Sequence, residues 1–556
     1  MARRPDTRTH EVFNQPPAFA GVNLFTGDEA LKAALAQTAG TTEPAVFEEF
    51  GAIAGSREMA EAARLANDDP PQLRLFDPMG HRLDQVEFHP AYHQLMATSC
   101  QAGLHASVWM HLKDDSQPLP DRHATRAGLF YMATQMEAGH CCPITMTNAV
   151  VPALLHQSDV ADGWLGGVLT RDYDPSFRPA PDKRALTFGM GMTEKQGGTD
   201  VRQNTTKAEP AGKGGPGAEH YLTGHKWFMS APMCDAFLVL AQAPGGLSCF
   251  LMPRFLPDGS QNPIAIQRLK EKLGNRSNAS VEVEFRGTSA WMVGTQGRGI
   301  QTIIEMVTYT RLDCAVSSAG LMRQALAQAL HHASYRTVFQ KKLFDQPLMR
   351  RVLADMALDH EAAVALVFRL AEAFDKGDDD EAEAAYARIM TPATKYWVCK
   401  ALPGLAYEAM ECLGGNGYVE EAPLARLYRE APINAIWEGS GNVMCLDVAR
   451  AAAKEPEALA RLIAGMETAA AGEARLKVAV EGLKRDLLDK RPAEGDLRGL
   501  VERLVMAMAG TLLAQHAPAA VSDAFLASRL EGGFRRTYGH LHGADEAAIM
   551  ARARPG

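Results

Sequence analysis

Two glycine-rich segments are the first places where residue type and spacing suggest chemistry. GTQGRG runs from Gly294 to Gly299 and LGGNG from Leu413 to Gly417, and both resemble loops that bind nucleotide phosphates. Such loops bind a dinucleotide when they follow a strand and open a helix within a βαβ unit. Neither segment has that context, and no G-x-x-x-x-G-K-[ST] motif occurs. The sequence therefore argues against a Rossmann fold and excludes a P-loop.

The nine cysteines do not have the spacing of a metal site. Their number is odd, Cys141 and Cys142 are adjacent, and no C-x-x-C pair occurs. Zinc sites built from cysteine normally contain such pairs. We therefore predict reduced and mostly buried thiols, as in a cytosolic protein, and no bound metal.

The end of the chain is more basic than the rest. The whole chain has a net charge of -9, whereas residues 451–556 carry 15 Lys and Arg against 14 Asp and Glu. Helix-surface charge is the simplest explanation, and contacts to nucleic acid phosphates are the alternative. The densest cluster consists of Arg529, Arg535, Arg536, His540 and His542, with Arg552 and Arg554 beyond it.

Hydrophobic periodicity predicts the elements that must position such residues. Residues 27–185 are mostly helical, with loops at Pro70, Pro118 and Pro143. Over 186–290, short β-branched or aromatic segments are separated by Gly, Pro and Asn, which predicts an antiparallel sheet or small barrel. After Gly299 the helical period returns. From residue 456 it predicts one amphipathic helix of about thirty residues, followed by a helix over 497–515.

The order of helices, sheet and helices predicts a mostly α protein with a central antiparallel β domain. We divide the chain into an N-terminal helical domain (1–185), a β-barrel domain (186–290), a helical bundle (291–450) and a C-terminal helical extension (451–556). No apolar run approaches the roughly 20 residues of a membrane span, and no apolar stretch follows the N-terminal MARRPDTRTH. We expect a soluble, cytoplasmic protein without a membrane partner.

Four well-separated segments resemble the acyl-CoA dehydrogenase superfamily. They are MTEKQGGTDV (192–201) with GHKWFMS (224–230), KLGNRSNASVEVEF (272–285), RTVF (336–339) with L-x-x-Q (343–346), and LGGNGY (413–418) with LYREAPINAIWEGSGN (427–442). Their joint occurrence in the right order identifies the chain as a member of this family. The resemblance implies FAD as cofactor. It also implies a helical domain, a β-barrel and a four-helix bundle, which agrees with the element order.

The resemblance also implies a catalytic base. Acyl-CoA dehydrogenation removes a weakly acidic proton from Cα while hydride leaves Cβ for the flavin, which requires a desolvated carboxylate. Glu438 stands at the family's base position, where Ile436 and Trp437 would raise its pKa; an exposed loop glutamate is the alternative. In some relatives the base lies at the position of Thr310, which cannot replace a carboxylate. The neighbouring Arg311 would lie near the active site.

For the flavin ring, the resemblance implies contacts from two segments. Thr193 would donate a hydrogen bond to the pyrimidine edge, which gains negative charge on reduction. Ser230 matches a family threonine near flavin N5, and Phe228 replaces a tryptophan that packs on the flavin. Residues 226–230 without the other motifs would be a plain amphipathic strand. Met192 and Thr199 complete this set, and two glycines before Thr199 allow a close backbone approach.

The remaining FAD contacts implied by the resemblance lie in the second half of the chain. Arg336 matches an arginine that contacts the FAD pyrophosphate, which guanidinium geometry suits. Two positions on the adenine side depart from the family pattern. Gln340 replaces a glycine, and Pro347 stands at the usual glutamine position, one place after Gln346. The other matching residues are Phe339, Gln346, Gly415, Asn416, Gly417, Trp437, Ser440 and Asn442.

The resemblance further implies an assembly. In the family, the LGGNG loop meets the FAD of a neighbouring subunit, so we expect a homotetramer built as a dimer of dimers. THEVFNQPP near the start, CPITMT (142–147), WEGSGNVMCLDV and the additional C-terminal hundred residues resemble a DNA-associated, alkylation-response branch of the family rather than its catabolic enzymes.

This branch implies a function with two parts. One is weak, isovaleryl-CoA-like dehydrogenase activity on acyl-CoA thioesters. The other is sequence-nonspecific binding of double-stranded DNA through phosphate contacts, for which Arg529, Arg535 and Arg536 are the candidates. The alternatives are a catabolic short- or branched-chain acyl-CoA dehydrogenase and a non-catalytic FAD scaffold that shields DNA.

Overall fold

The computed structural model describes residues 7–488, 490, 492–531 and 543–555, and it begins with a largely helical part. Local sequence signals start several of these helices. The Asp28 and Ser56 side chains, for example, accept hydrogen bonds from the backbone of the first turns of α1 and α3. The helices are α1 (Glu29–Thr38), α2 (Pro44–Ala54), α3 (Arg57–Asp68), α4 (Pro90–Gln101), α5 (His111–Asp114), α6 (Arg122–Met136), α7 (Cys141–Leu154) and α8 (Ser158–Val168).

A β-hairpin, which the periodicity did not predict, interrupts this mostly helical part. Strands β1 (Gln72–Phe76) and β2 (Arg82–Glu87) pair antiparallel. Asp77 closes the turn between them, because its Oδ1 accepts hydrogen bonds from the backbone N–H groups of Met79 and His81. The strands are too short to show in a periodicity measured over helical lengths.

A seven-stranded β domain follows. Its strands are β3 (Phe188–Gly191), β4 (Lys207–Pro210), β5 (Glu219–Ser230), β6 (Ala236–Ala243), β7 (Gly246–Pro253), β8 (Ile264–Leu269) and β9 (Ser280–Val293). They pair in the order β3-β6-β4-β5-β9-β7, β8 pairs with β9, and an additional β6–β7 pairing closes the sheet on itself. The central β-barrel predicted from the sequence is thus present.

The pairing of this sheet differs from prediction in one respect. β3 runs parallel to β6, with Phe188 opposite Ala236, and β4 meets β6 in parallel at Lys207 and Gln242. Parallel neighbours need a long crossover connection, and the alternation of apolar and polar residues carries no information about strand direction. The sheet is therefore mixed and not purely antiparallel.

Long helices form the bundle after the barrel. They are α9 (Gly299–Tyr335), α10 (Pro347–Lys376), α11 (Glu381–Cys412) and α14 (Gly441–Lys454), with the short helices α12 (Gly415–Tyr418) and α13 (Pro423–Glu430) before α14. α9, α10 and α11 pack against one another, and α14 packs on α11. A short hairpin joins α9 to the turn before α10. Its strands, β10 (Thr337–Val338) and β11 (Lys341–Lys342), have two residues each.

The C-terminal extension contains α15 (Pro456–Ala469), α16 (Ala474–Leu487), α17 (Leu497–His516), α18 (Ala519–Phe525) and α19 (Glu546–Ala553). The prediction of a single helix of about thirty residues from residue 456 is wrong. A turn at Ala470–Gly472 divides it, and the Glu473 side chain caps the start of α16. The apolar period continues through the break because both helices bury the same kind of face, including Leu462, Met466 and Val480.

Two hydrophobic cores organise the described residues. One contains side chains from the N-terminal helices, the bundle and the extension, such as Leu95, Leu366 and Leu504. The other contains the barrel interior with α7 and the start of α9, including Phe237 and Ile303. All nine cysteines are buried. Among the helices described, none is both long and apolar enough to cross a bilayer.

Candidate active site

The loop that carries Glu438 lies between the two cores. Trp437 packs against the barrel core, whereas Met444, in the following helix α14, belongs to the helical core. Glu438 has a backbone φ of +57°, a left-handed conformation that is uncommon for residues other than glycine. Its Oε2 atom is buried and has no hydrogen-bond partner in the structure. An unpartnered carboxylate oxygen is available to a ligand.

The surroundings of Glu438 fit a base. Burial raises the pKa of its carboxyl group, and this effect exceeds the opposing influences of the Thr310 hydroxyl, Lys395 and Arg311. A raised pKa makes the carboxylate a stronger base at neutral pH. The half-buried position and the unpartnered oxygen argue against the alternative of an exposed loop glutamate.

Arg311 holds the base loop from α9. Its Nε donates to the backbone oxygen of Glu438 at 3.0 Å, and its Nη1 donates to Asp447 of α14 at 2.7 Å. Arg388 of α11 binds the same carboxylate at 3.1 Å. The structure thus places Arg311 at the candidate site and ties the base loop to three bundle helices.

A cluster of polar side chains lies at the end of β5. The Ser230 hydroxyl lies 3.1 Å from that of Ser280, whose oxygen accepts a hydrogen bond from Lys272 at 3.2 Å. The Cys142 thiol lies beside Ser230 and within electrostatic range of Glu438, and burial raises its pKa to about 11. Sequence reasoning used Cys142 only as a branch marker and missed Ser280 and Lys272 as neighbours of the site.

The segment with Met192 and Thr193 lies beside β5. The backbone N–H of Trp227 donates to the oxygen of Thr193 at 2.8 Å. A Cβ on Gly198 would lie 2.4 Å from the Thr193 hydroxyl oxygen, so the close approach of this loop requires glycine. Met192 is half-buried against the barrel core, and Thr199 is exposed.

A buried ion pair that sequence reasoning missed locks these two segments together. Lys226 Nζ donates to Glu194 at 2.9 Å, and both side chains are completely shielded from solvent. Glu194 also accepts from the backbone of Thr205 and Thr206, and Lys226 donates to the oxygen of Leu240. The signal was present in the motifs, since Glu194 lies in MTEKQGG and Lys226 in GHKWFMS.

Phe228 follows this pair on the outer side of β5. Its ring is 47% exposed although it is a large apolar side chain. Lys270 Nζ lies 4.4 Å from the ring centroid and 3.3 Å from that of Trp227. An exposed aromatic face flanked by the hydroxyl residues Thr193 and Ser230 fits a planar ligand with polar edges.

The second set of predicted cofactor residues forms around the β10–β11 hairpin. Arg336 ends α9, and its Nη1 donates to the backbone oxygen of Asn14 at 2.8 Å. Gln346 Nε2 donates to the oxygen of Val338, which braces the hairpin. Phe339, at the tip, is 90% exposed. Gln340 has a φ of +65°, so this position keeps the left-handed backbone that glycine favours.

The glycine-rich segment that forms α12 belongs to the same region. Asn416 donates to the side chain of Gln15 at 3.2 Å, which links it to the N-terminal segment that also holds Arg336. A Cβ on Gly417 would lie 2.2 Å from the Met410 backbone oxygen, whereas Gly415 faces open space. Gly417 therefore serves packing on α11, and Gly415 leaves room for a ligand.

The predicted cofactor residues next to Glu438 make different contacts from one another. Trp437 Nε1 donates to the Asn434 side chain at 3.0 Å. Ser440 is exposed at the start of α14 and forms no side-chain cap. The oxygen of the Asn442 side chain accepts a hydrogen bond from Arg498 of α17 at 2.7 Å, which joins this predicted FAD contact to the C-terminal extension.

Arg529, a predicted contact to DNA phosphates, forms ion pairs within the chain. Its guanidinium forms ion pairs with Asp355 at 2.6 Å and Asp359 at 2.8 Å on α10, and its side chain is only 18% exposed. Arg552 pairs with the buried Glu361, and Arg554 lies 5.9 Å from the Phe344 ring. These arginine side chains hold the C-terminal extension against the bundle. Arg535, Arg536, His540 and His542 lie outside the described residues.

The residues present fit a flavin cofactor. The exposed Phe228 ring, the flanking hydroxyl residues and the unpartnered Glu438 oxygen provide a planar contact, polar contacts and a base. A second surface lies around the β10–β11 hairpin and α12. There Arg336 provides a cation, and Gly415 leaves space for a ligand. Thr193, Phe228 and Ser230 would hold the ring system, and Arg336 and Asn416 would hold the pyrophosphate and adenine part.

Three family models match successive parts of the chain. The N-terminal domain of the adaptive response protein AidB matches residues 14–175, the acyl-CoA dehydrogenase middle domain 189–288, and the acyl-CoA dehydrogenase C-terminal domain 297–453. The chain belongs to the acyl-CoA dehydrogenase family. It is therefore an oxidoreductase of the FAD-dependent acyl-CoA dehydrogenase type.

Similarity to one relative extends over almost the whole chain. The sequence is 44% identical over 531 residues to the putative acyl-CoA dehydrogenase AidB of Escherichia coli (strain K12), covering 95% of this chain and 96% of the relative. It is 32% identical over 411 residues to acyl-CoA dehydrogenase family member 11 of Caenorhabditis elegans, covering 71% of this chain and 64% of that protein.

Solved structures confirm the fold. The chain matches Bd2924 in its apo form with a TM-score of 0.83 and 29% identity, over 91% of this chain and 100% of that one. It matches Caenorhabditis elegans ACDH-11 in complex with C11-CoA with a TM-score of 0.85 and 24% identity, over 97% of both chains. The acyl-CoA dehydrogenase-like fold with a C-terminal helical extension is thus established.

Proposed function

We propose that this protein oxidises an acyl-CoA thioester between Cα and Cβ, with Glu438 as the base. The observation that carries the proposal is the Glu438 carboxyl group itself. It combines a pKa raised by burial with a buried oxygen that has no partner. A structural carboxylate at such a position would be paired, because leaving it unpaired costs free energy.

The residues around Glu438 define the parts of the reaction that the protein performs. The carboxylate accepts the α-proton and is then neutral, which its poorly solvated surroundings favour. The Cys142 thiol, which lies beside Ser230 and within electrostatic range of Glu438, does not compete for that proton, since burial raises its pKa to about 11 and keeps it protonated at neutral pH. Thr193, Phe228, Ser230 and Arg336 would hold FAD, which would supply the acceptor for the hydride from Cβ.

The proposed substrate class is an acyl-CoA thioester. The family membership supports this class, and the solved neighbour ACDH-11 is a complex with C11-CoA. For the first probe we choose isovaleryl-CoA, because the resemblance to the alkylation-response branch implies activity of the isovaleryl-CoA type. Chain length is a variable of the assay.

The test compares glutamine variants of two glutamates whose pKa values are raised by burial. Isovaleryl-CoA should bleach the flavin absorbance of the wild type and leave that of Glu438→Gln unchanged, with equal FAD content. Glu361→Gln is the matched control, since Glu361 is buried, has a pKa raised by burial and pairs with Arg552 away from the base loop. Bleaching by Glu438→Gln at the wild-type rate would show that the base lies elsewhere.

We further propose a homotetramer in which subunits share the FAD site. Large apolar side chains near the second cofactor surface are exposed in the single chain: Phe13 by 81%, Phe339 by 90%, Leu348 by 80% and Tyr418 by 79%. A patch of this kind on a soluble protein marks an interface. Light scattering of the FAD-bound protein should give four times the chain mass, and a monomer that retains FAD would contradict a shared site.

We also propose that the protein associates with double-stranded DNA without sequence preference. The support is the similarity to AidB over nearly the full length and the matching adaptive response domain. With Arg529 committed to Asp355 and Asp359, Arg535 and Arg536 remain the candidates for phosphate contacts.

Two assays separate the three functional alternatives. Thioester turnover without DNA retention at low salt would indicate a catabolic enzyme. DNA retention without any flavin bleaching would indicate a scaffold that shields DNA. Both activities together support the combined function, and retention should weaken steeply as salt concentration rises.

A further inference from the structure

A buried lysine lies directly behind the base loop. Lys395 is in the middle of α11, and only 1% of the residue is exposed. A lysine in a protein core is rare unless its ammonium group has specific partners. The proposed catalytic step makes no use of it, so its position needs a separate explanation.

The partners of Lys395 are all on the segment that contains Glu438. Its Nζ donates to the backbone oxygens of Asn434 at 2.9 Å, Trp437 at 2.9 Å and Gly439 at 3.0 Å. The three N–H donors of an ammonium group are therefore all used. Two of the accepting carbonyls belong to the residues immediately before and after Glu438.

We propose that Lys395 is the positioning residue for the catalytic base: its ammonium group fixes the backbone on both sides of Glu438 and thereby directs the carboxylate into the site. Arg311 completes the arrangement, since it binds the oxygen of Glu438 from α9. Together the two cations hold four carbonyl groups of one loop. This explains how the left-handed conformation of Glu438 persists, because strained backbone requires surroundings that determine it fully.

The proposal rests on Glu438 being the base, and it includes an electrostatic part. The groups facing Glu438 are Arg311 and Cys314 from α9, Lys395 from α11 and Cys142 from α7. The charge of Arg311 is offset by its ion pair with Asp447 of α14. Lys395 binds neutral carbonyls, and it forms no ion pair with an acid in the described part of the chain. Its charge therefore acts directly on the carboxylate.

The sign of the effect follows from these charges. A neighbouring cation favours the ionised carboxylate and lowers its pKa. Lys395→Met removes the cation and keeps most of the side-chain length. The acidic limb of the pH profile for isovaleryl-CoA-driven flavin bleaching should move to higher pH by about one unit or more. At a pH below the limb, the rate should fall about tenfold per unit.

Controls separate positioning from general stability. Lys183→Met is the matched variant, since Lys183 is a buried lysine paired with Asp235 outside the site; it should lose stability and keep the wild-type pH profile. Lys395→Arg retains the charge and should keep the wild-type limb. Its rate should still fall about tenfold, because a planar guanidinium cannot place donors on the same three carbonyls. FAD content is measured for each variant, and Lys395→Arg decides the question if Lys395→Met does not fold.

A second readout makes the test independent of turnover. An infrared titration of the holoprotein, with Glu438→Gln as reference, reports the pKa of Glu438 without any thioester. Its pKa should be higher in Lys395→Met than in the wild type. An unshifted pKa, or a wild-type bleaching rate in either Lys395 variant, overturns the proposal. If the wild type fails to bleach with any thioester, the proposed function fails, and the infrared titration still decides the role of Lys395.

Discussion

Glu438 combines two features that each cost free energy. Its carboxyl group is poorly solvated, and its backbone is in the left-handed region. Functional sites often retain such local costs because the reaction depends on them. A substitution that removes the charge should therefore improve stability while it abolishes proton abstraction.

We expect Glu438→Gln to be more stable than the wild type at neutral pH. The folded-state pKa of Glu438 is raised, so the folded protein binds the proton more tightly than the unfolded chain does. Its contribution is favourable below the unfolded pKa of about 4.3 and is lost as pH rises through the folded-state value. The difference in Tm between the two proteins should thus appear at pH 7 and vanish near pH 4. A variant less stable than the wild type at both pH values would contradict this account.

At the scale of elements, the Glu194–Lys226 pair connects the segment before β4 to the middle of β5. Arg336, Asn14 and the β10–β11 hairpin form a second connection, between the N-terminal segment and the end of α9. Each connection joins residues distant in sequence and orients residues predicted to bind FAD. Both can be broken by single substitutions.

We expect Lys226→Met to destabilise the protein by about 3–5 kcal/mol, because it leaves the Glu194 charge buried without its cation. The double variant Glu194→Gln, Lys226→Met should recover part of this loss, since no charge then remains. Urea denaturation of the three proteins measures the effect, and FAD content should fall in the single variant as the Thr193 segment loosens. Equal stability of single variant and wild type would show that the pair is dispensable.

The N-terminal segment should contribute to cofactor retention. Asn14 exchanges two hydrogen bonds with the backbone of Thr337, at 2.8 and 2.7 Å, and its own carbonyl accepts from Arg336. Asn14→Ala should raise the FAD dissociation constant about tenfold, the equivalent of about 1.4 kcal/mol. Asn23→Ala is the control, because Asn23 makes comparable backbone contacts to Phe25 and Glu48 away from the hairpin. Equal FAD affinity in both variants would assign the segment to stability alone.

At the scale of the whole molecule, the C-terminal extension is part of the helical core. Residues of α15 to α19 share that core with α10 and α11, and the ion pairs of Arg529 and Arg552 reach buried acids of α10. The small excess of Lys and Arg over Asp and Glu in residues 451–556 is therefore not evidence for a free basic surface, because some of these arginines are in buried ion pairs.

Arg529→Ala should accordingly act on stability and not on DNA retention. It removes a largely buried cation paired with two carboxylates, so we expect a loss of about 3–5 kcal/mol. Arg535→Ala with Arg536→Ala should instead lower the slope of log affinity against log salt by about two, one for each lost phosphate contact. Filter retention of duplex DNA over a salt series distinguishes the Arg529 variant from the Arg535, Arg536 double variant. A reduced slope for Arg529→Ala at unchanged stability would restore it as a DNA contact.

The sequence by itself determined the order of helical, β and helical parts, because periods of 3.6 and 2 are local properties of the chain. Through its resemblance to the family, the motif around Glu438 likewise predicted the position of a base. Only the tertiary structure decided the parallel pairing of β3 with β6, the partners of Lys226 and Lys395, and the burial of Arg529. These contacts join residues from 14 to 174 positions apart, as in Lys226 with Leu240 and Arg529 with Asp355. A charged residue has the same local pattern on a solvated face and in a buried pair, so packing alone determines its role.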